Sequence, residues 1–163
     1  MRYVLAFIMA LGLAGIAAAQ GAQIAFGGLS HDSSLPIEIS ADQLAVDQAD
    51  GSATFKGNVL IGQGDMRLSA AHVRVEYVTG ADSTGQISRL HASGGVTLVN
   101  GAEAAEARQA VYAIASGTVV MTGDVILTQG ANALSGDKLT VNLSSGTGTM
   151  DGRVKTILQP GGQ

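Results

Sequence analysis

Apolar and polar residues alternate along most of this chain with a period of two. In residues 37–40, 73–77 and 139–143, an aliphatic residue or tyrosine takes every second position and a polar residue stands between. Successive side chains of a β-strand point to opposite faces of a sheet, so this alternation is typical of strands with one buried face. Because no segment has a convincing helical period, the pattern predicts an all-β chain.

The alternation is organised by a 13-residue frame that always ends on glycine and occurs four times, at residues 39–51, 68–80, 105–117 and 134–146. The frame starts are 29, 37 and 29 residues apart, because the second copy carries an 8-residue insertion. A second glycine follows each frame and opens a G-x-V-x-[IL] motif, incomplete in the last copy, at Gly57, Gly94, Gly123 and Gly152. Self-similarity of this kind indicates one supersecondary unit repeated along the chain.

Within each frame the apolar positions shift from odd to even, since they are positions 1 and 3 and then 6, 8 and 10. Such a shift requires a bend or bulge, because a one-residue slip would otherwise turn the buried face toward solvent. We therefore predict a corner at residues 42–43, 71–72, 108–109 and 137–138. The alanine-rich segment 103–113 aligns with the other frames and is predicted to be a strand rather than a helix.

The N-terminus has the layout of a secretory signal. Met1 and Arg2 precede an apolar run that ends in Ala17-Ala18-Ala19, a small-x-small cleavage site. The run is short for a membrane span of about 20 residues and contains two glycines. We expect a signal peptide over residues 1–19, cleaved near Ala19, followed by a flexible leader rich in glycine, serine and alanine over residues 20–34.

Composition narrows the classes of partner and of site. Removing Arg2 with the signal leaves 8 basic and 13 acidic side chains, a formal charge of −5, which makes the chain a poor candidate for nucleic-acid binding. An exported chain without cysteine has neither a disulfide framework nor a thiolate metal site. Because the whole sequence contains three Phe, three Tyr and no Trp, the core is expected to be aliphatic.

Residues able to carry chemistry are few and scattered. His31, His72 and His91 lack the spacing of a metal site and are predicted to lie on the surface. Asp42 and Asp137 occupy equivalent frame positions, which favours hydrogen bonds that stabilise the corner over a pair of catalytic carboxylates. No G-x-S-x-G or comparable catalytic signature occurs. The sequence therefore predicts neither an enzyme nor a bound metal.

Five short strings, taken in order and spacing, resemble the LptA/OstA family of periplasmic lipopolysaccharide-transport proteins. They are PIEISAD (36–42), TFKGNV (54–59), IGQG (61–64), TGDV (122–125) and LSGDKL (134–139). The resemblance covers residues 35–160, nearly the whole mature chain. It implies a twisted, partly open antiparallel β-jelly roll, built here from about four repeats of roughly 29 residues.

The resemblance also implies a function. Such proteins bridge the periplasm and pass lipopolysaccharide from the inner membrane to the outer-membrane translocon, with the acyl chains shielded in an apolar groove. They are not enzymes and use no cofactor. The implied partners are lipopolysaccharide, an inner-membrane protein of the same fold, the N-terminal domain of the translocon, and further copies of the chain in head-to-tail order. Docking would use β-augmentation at the first strand, near residues 35–40, and the last, near residues 152–158.

The candidate lipid-binding residues are apolar residues of the predicted inward face. Acyl chains need an aliphatic wall, and burying each CH₂ contributes about 0.8 kcal/mol. Matching the family's pattern favours Ile37, Leu98, Tyr112 and Ile114. The full candidate set is Ile37, Ile39, Leu44, Val46, Phe55, Val59, Ile61, Val75, Tyr77, Leu98, Tyr112, Ile114, Leu127 and Val141.

Two alternatives stay open, because periodicity does not distinguish a lined groove from a packed interior. One is a structural or adhesive β-repeat protein with a filled core and no ligand. The insertion and the alternation of long and short strands favour an antiparallel roll over a parallel solenoid of uniform rungs. The other is the inner-membrane relative of the same fold, which would keep its N-terminal helix as an anchor. Ala17-Ala18-Ala19 argues against that reading.

Overall fold

The computed structural model describes residues 22–25, 31–80 and 85–160, and every regular element in these ranges is a β-strand. The strands are β1 (Ala22–Ala25), β2 (Glu38–Ser40), β3 (Gln43–Val46), β4 (Ala53–Gln63), β5 (Met66–Tyr77), β6 (Ile87–Asn100), β7 (Glu103–Ala113), β8 (Thr118–Gln129), β9 (Asn132–Asn142), β10 (Thr147–Asp151) and β11 (Lys155–Ile157). The all-β prediction is confirmed, and β7 coincides with the alanine-rich segment predicted to be a strand.

The strands form one antiparallel sheet in the order β1-β10-β9-β8-β7-β6-β5-β4-β2. From β4 to β10 each strand pairs with its successor in sequence, so the sheet is a meander of hairpins. β3 also pairs with β4, and β11 pairs with β9. The sheet is not closed, because β2 and β3 form one end and β1 and β11 form the other.

Each long strand bends near its middle, where the pairing register shifts. In the five pairs from β4–β5 to β8–β9 the shift falls between Lys56 and Val59, between Ser69 and His72, and at the equivalent places further on. Opposite the predicted corner, two consecutive residues have positive φ. These pairs are Gly57-Asn58, Gly94-Gly95, Gly123-Asp124 and Gly152-Arg153. The predicted corners are therefore present as β-bulges.

Glycine is required at the first position of these pairs by its backbone angle and by crowding. A Cβ on Gly94 (φ 83°) would lie 2.6 Å from Ala71 Cβ, and one on Gly123 (φ 87°) would lie 2.9 Å from Arg108 Cβ. At the first and last corners the crowding residue is an aspartate, because Asp42 lies over Gly57 and Asp137 lies over Gly152. The residue at the fourth frame position thus lies directly over a glycine, which lets neighbouring strands approach closely at the bend.

The corners divide the sheet into two arms. The first arm contains β2, β11 and the strand halves that meet at the hairpin turns near Gly64, Gly101 and Gly130. The second arm contains β1, β3, β10 and the remaining strand halves, whose turns lie near Gly117 and Gly146. Apolar residues of both arms belong to one buried cluster, so the arms face a common interior.

Cross-strand pairing places the buried residues in rows on the inner faces. In the first arm the row is Ile39, Ile61, Leu68, Leu98, Ala105, Leu127 and Leu134. In the second arm the corresponding row is Val46, Ala53, Val75, Leu90, Tyr112, Val119 and Val141. Tyr112 is the one aromatic side chain buried in the described part of the core, in agreement with the aliphatic core that the composition predicts.

Flexibility of residues 20–34 stays a prediction, and two described parts of this segment are hydrogen-bonded to the sheet. β1 pairs with β10, with Ala22 opposite Met150 and Ala25 opposite Thr147. Residues 31–34 are hydrogen-bonded as well, beginning with the amide of His31, which donates to Leu143 O at 2.7 Å. The leader composition does not reveal these bonds, because the partners come from distant strands.

The predicted signal peptide, residues 1–19, lies outside the described residues. The described ranges contain no helical segment that could span a membrane. The strands predicted near residues 35–40 and 152–158 correspond to β2 and β11, and both lie at ends of the sheet.

Candidate functional site

The 14 predicted lipid-binding residues fall into three groups by exposure. Seven are at most 1% exposed: Val59, Ile61, Val75, Leu98, Tyr112, Leu127 and Val141. Five are half-buried against this core: Ile37, Ile39, Phe55, Tyr77 and Ile114. Two are exposed: Leu44 and Val46. The predicted set therefore contains residues of a packed interior and residues that are accessible at the margin of that interior.

The apolar inner face emerges into solvent at the end formed by β2 and β3. Along the row of the second arm the exposed fraction is 65% at Val46, 4% at Ala53 and 0% at Val75. In the adjacent row it is 58% at Leu44 and 0% at Val73, with a half-buried phenylalanine between them. Among the described residues, β3 is the last strand of this arm, and no strand beyond it covers its inner side chains.

The first arm opens at the same end. Ile39 on β2 is half-buried, whereas its partner Ile61 is 1% exposed and the next residue of the row, Leu68, is 2% exposed. Both arms therefore present accessible aliphatic side chains where the sheet ends. This exposed apolar end, formed by Ile37, Ile39, Leu44, Val46 and Phe55, is the candidate site.

A polar contact links the arms inside the roll. The Tyr112 hydroxyl donates to Gln63 Oε1 at 2.9 Å, and both side chains are 1% exposed. Burial raises the pKa of Tyr112 to about 12, because the phenolate would lose its hydration. The hydroxyl therefore remains a hydrogen-bond donor at neutral pH.

Residues 31–36, here called the strap, run between the ends of the two arms. The amide of His31 donates to Leu143 O in the second arm. At the first arm, Gln63 Nε2 donates to the carbonyl oxygens of Ser33 and Leu35 at 2.9 and 2.8 Å. The strap thus bridges the two arms and covers the part of the interior where Gln63 lies.

The sequence pattern did not identify Gln63 or the strap, although one signal was available. Residues 59, 61 and 63 have the same parity and all are buried, so a glutamine stands where the pattern calls for an aliphatic residue. Buried polar side chains carry a free-energy penalty unless they are hydrogen-bonded. An inward polar residue therefore indicates a specific partner.

Charged side chains occupy the outside of the corners. Asn58 Nδ2 donates to Asp42 Oδ2 at 2.9 Å, and Arg153 pairs with Asp137 at 2.6 Å. The hydrogen bond from Arg153, assisted by its charge, lowers the pKa of Asp137. The prediction that the two aspartates form hydrogen bonds at the corners is confirmed.

The histidines differ in exposure. His72 is exposed as predicted, whereas His31 and His91 are half-buried. His91 Nε2 lies 3.2 Å from Glu76 Oε1 on the outer face of the second arm, beside Arg74, which is paired with Asp50 at 2.7 Å. In the part of the chain that the structure describes, no three His, Asp or Glu side chains stand together as a metal site would require.

Residues 38–147 match the family described as "LptA/(LptD N-terminal domain) LPS transport protein". The chain belongs to this family. The resemblance to LptA/OstA proteins is therefore confirmed, and the described β-strands from β2 to the start of β10 fall within the matched LptA/LptD region. The family is one of transport proteins.

Two individual proteins are similar to this chain, one in sequence and one in fold. An uncharacterized protein of Rhizobium meliloti (strain 1021) is 31% identical over 115 residues, which are 68% of this chain and 62% of the relative's length. The crystal structure of LptH, the periplasmic LptA homologue of the lipopolysaccharide transport device of Pseudomonas aeruginosa, superposes with a TM-score of 0.69 at 18% identity. The superposition covers 79% of this chain and 99% of LptH. The shared fold is the LptA-like antiparallel β-jelly roll.

Proposed function

We propose that this protein carries lipopolysaccharide through the periplasm, as one element of a bridge between the inner membrane and the outer-membrane translocon. The observation that carries the proposal is the apolar inner face, which runs across the sheet and reaches solvent at Leu44 and Val46. Membership of a lipopolysaccharide transport family gives the class of ligand. LptH, which has the same fold, is a periplasmic component of such a device. In this proposal the chain is exported, and its signal is cleaved near Ala19.

The wall suits acyl chains because it is aliphatic. Each buried CH₂ contributes about 0.8 kcal/mol, so a dodecanoyl chain offers on the order of 10 kcal/mol before ordering costs are subtracted. Leu44 and Val46 leave apolar surface in water at the end of the roll, and an acyl chain or the inner face of a partner would cover it. Contacts without fixed polar partners also let a chain slide, which transport requires.

Docking in this proposal uses the ends of the sheet. Among the described strands, β2 and β3 each pair on one side only, with β4, and in this proposal their other backbone edges receive a partner strand in β-augmentation. The opposite end offers β11. The partners are an inner-membrane protein of the same fold, the N-terminal domain of the translocon, and further copies of this chain. Stacked end to end, their inner faces would form one continuous apolar path.

A second function is favoured by a different observation. Half of the candidate residues are at most 1% exposed, as in a filled core. Such burial is also expected of a structural or adhesive β-repeat protein that binds no ligand. The two functions differ at the exposed apolar end. A ligand carrier uses the inner side of β3, whereas a structural protein does not distinguish its two sides by contact with lipid.

The decisive experiment places a photo-crosslinking amino acid at Val46, and separately at Ala45, in cells that make lipopolysaccharide. Both residues are exposed on β3, but Val46 pairs with buried Ala53 on the inner face and Ala45 faces the opposite way. A lipopolysaccharide adduct at Val46 and none at Ala45 supports the carrier. Absence of an adduct at Val46 in a folded, exported protein favours the structural alternative. Sequencing the mature N-terminus tests cleavage near Ala19.

A further inference from the structure

Gln63 is a buried carboxamide that is fully engaged at the end of an apolar wall. Its Oε1 accepts from the Tyr112 hydroxyl, and its Nε2 donates to two carbonyl oxygens of the strap, those of Ser33 and Leu35. The partners fix the orientation of the amide, because carbonyl oxygens only accept and the hydroxyl is free to donate. The NH₂ group is thus held facing the strap.

The strap carbonyls occupy a place that a ligand could take. Val59 and Ile61 precede Gln63 on the inner face of β4, so the aliphatic wall ends at a donor of two hydrogen bonds. An acylated lipid has the same order of chemistry, since each hydrocarbon chain ends at the carbonyl oxygen of an ester or amide linkage. We propose that Gln63 is a carbonyl-binding site for the acyl linkages of a lipid, and that the strap occupies this site in the ligand-free protein.

This inference rests on the proposed function, because it takes an acylated lipid as the ligand. Each ligand carbonyl that takes the place of a strap carbonyl keeps the number of hydrogen bonds to Gln63 Nε2 unchanged. Burial of the acyl chain then provides the net stabilisation. Gln63 would fix how far along the wall a chain lies, which an aliphatic surface alone does not do.

The strap has the properties of a displaceable segment. Asp32, Ser34 and Pro36 are exposed, and the side chain of Leu35 is 40% exposed. Besides the bonds to Gln63, the His31 amide donates to Leu143 O, Leu35 packs near Gly64, and the strands on either side of the strap, β1 and β2, pair with β10 and β4. Segments with few buried apolar contacts open at low free energy. The strap can therefore leave while the bulges at the corners stay in place.

A reversible lock tests whether the strap must move. A Cβ on Gly117 would lie 2.8 Å from Ser144 Oγ and 3.6 Å from Ser33 Oγ, so these two serine side chains are close together. The chain contains no cysteine, so Ser33→Cys with Ser144→Cys gives a single disulfide between the strap and the second arm. The probe is a fluorophore carried as its dodecanoyl amide, titrated into the purified full mature chain in both redox states.

We expect the reduced double variant to bind the probe as the unsubstituted protein does, and the oxidised form to bind at least about tenfold more weakly, equivalent to about 1.4 kcal/mol. Each single-cysteine variant serves as a control for oxidation. Equal binding in both redox states overturns the inference and leaves the proposed function standing. Absence of binding by the unsubstituted protein overturns both.

A second measurement separates the carbonyl site from simple blockage by the strap. Gln63→Leu should bind the dodecanoyl amide about tenfold more weakly and keep its affinity for the dodecyl ether of the same fluorophore, because the ether has no carbonyl. Gln109→Leu, at an exposed position, is the matched control and should bind both probes unchanged. Equal loss for the two probes, or no loss for either, contradicts a carbonyl site.

Discussion

The hydroxyl of Tyr112 reaches Gln63 Oε1 at 2.9 Å, although their strands, β7 and β4, are separated by two others in the sheet. Neighbouring strands are about 4.8 Å apart, so the two residues would be roughly 14 Å or more apart in a flat sheet. They meet because the corners turn one arm over the other. This contact is therefore a direct sign of the folded roll.

Removing the hydroxyl should loosen the link between the arms. Tyr112→Phe leaves a buried amide oxygen without its donor, and we expect the free energy of unfolding to fall by about 1 to 2 kcal/mol. Urea denaturation checks this. Tyr77→Phe is the matched control, because no hydrogen bond to the Tyr77 hydroxyl is found in the described part of the chain, and its stability should change by less than about 0.5 kcal/mol. Equal effects of the two substitutions would show that the interior link contributes nothing.

Alkaline pH should weaken the fold through the same residue. The pKa of Tyr112 is raised from 10.0 to about 12 by burial, so above pH 10 the unfolded chain loses this proton while the folded chain keeps it. The unfolded state is then favoured, and the stability that Tyr112 contributes declines between pH 10 and about 12.

Absorbance titration should show one tyrosine that ionises only toward pH 12. In parallel, the free energy of unfolding of Tyr112→Phe should fall less steeply above pH 10 than that of the unsubstituted protein. Identical pH dependence for both proteins would contradict a buried, neutral phenol.

A corner glycine should tolerate alanine less well than a turn glycine with a similar backbone angle. Gly94 (φ 83°) lies under Ala71, whereas a Cβ on Gly101 (φ 60°) would have no atom within 4 Å. Both alanine substitutions carry a left-handed backbone penalty of about 1 to 2 kcal/mol. Crowding should add about 1 to 3 kcal/mol at Gly94 alone. Thermal or urea unfolding of the two variants compares these effects, and equal destabilisation would show that the corner has room for a side chain.

Residues on the inner face should contribute to stability according to how deeply they are buried. Leu98→Ala removes a fully buried side chain, and we expect a loss of about 2 to 5 kcal/mol. The double substitution Leu44→Ser and Val46→Ser alters side chains that are 58% and 65% exposed, and stability should change by no more than about 1 kcal/mol.

The same double serine variant should reduce binding of an acyl probe or of a second copy of the chain, because it removes apolar surface at the exposed end. Binding titration and sedimentation measure these effects. Retained binding together with retained stability would show that the inner side of β3 is not used.

The sequence could predict the features of this fold that are local. The parity shift inside each frame is enough to locate the corners, because a bulge is the means by which a strand changes its buried face within two residues. Alignment with the other frames identifies β7 as a strand even though its alanines favour a helix. Both predictions depend on the order of side chains along a single strand.

The remaining features depend on distant partners. Ser33 bonds to Gln63 thirty residues away, and β1 pairs with β10 at the far end of the chain. Nothing in a glycine- and serine-rich leader encodes those partners. Exposure of the inner face also depends on which strands pair. Val46 and Val75 belong to one row and differ only in how near they lie to the end of the sheet.

Because each corner is made by two left-handed residues on one strand and a single neighbour on the next, the bend is encoded hairpin by hairpin. Inserting or deleting a whole hairpin would leave every other bend as it is. The interior would then lengthen or shorten in steps of two strand spacings, about 9 to 10 Å. Duplication of one genetic module could in this way adjust the reach of such a protein across a gap without redesign of its cross-section.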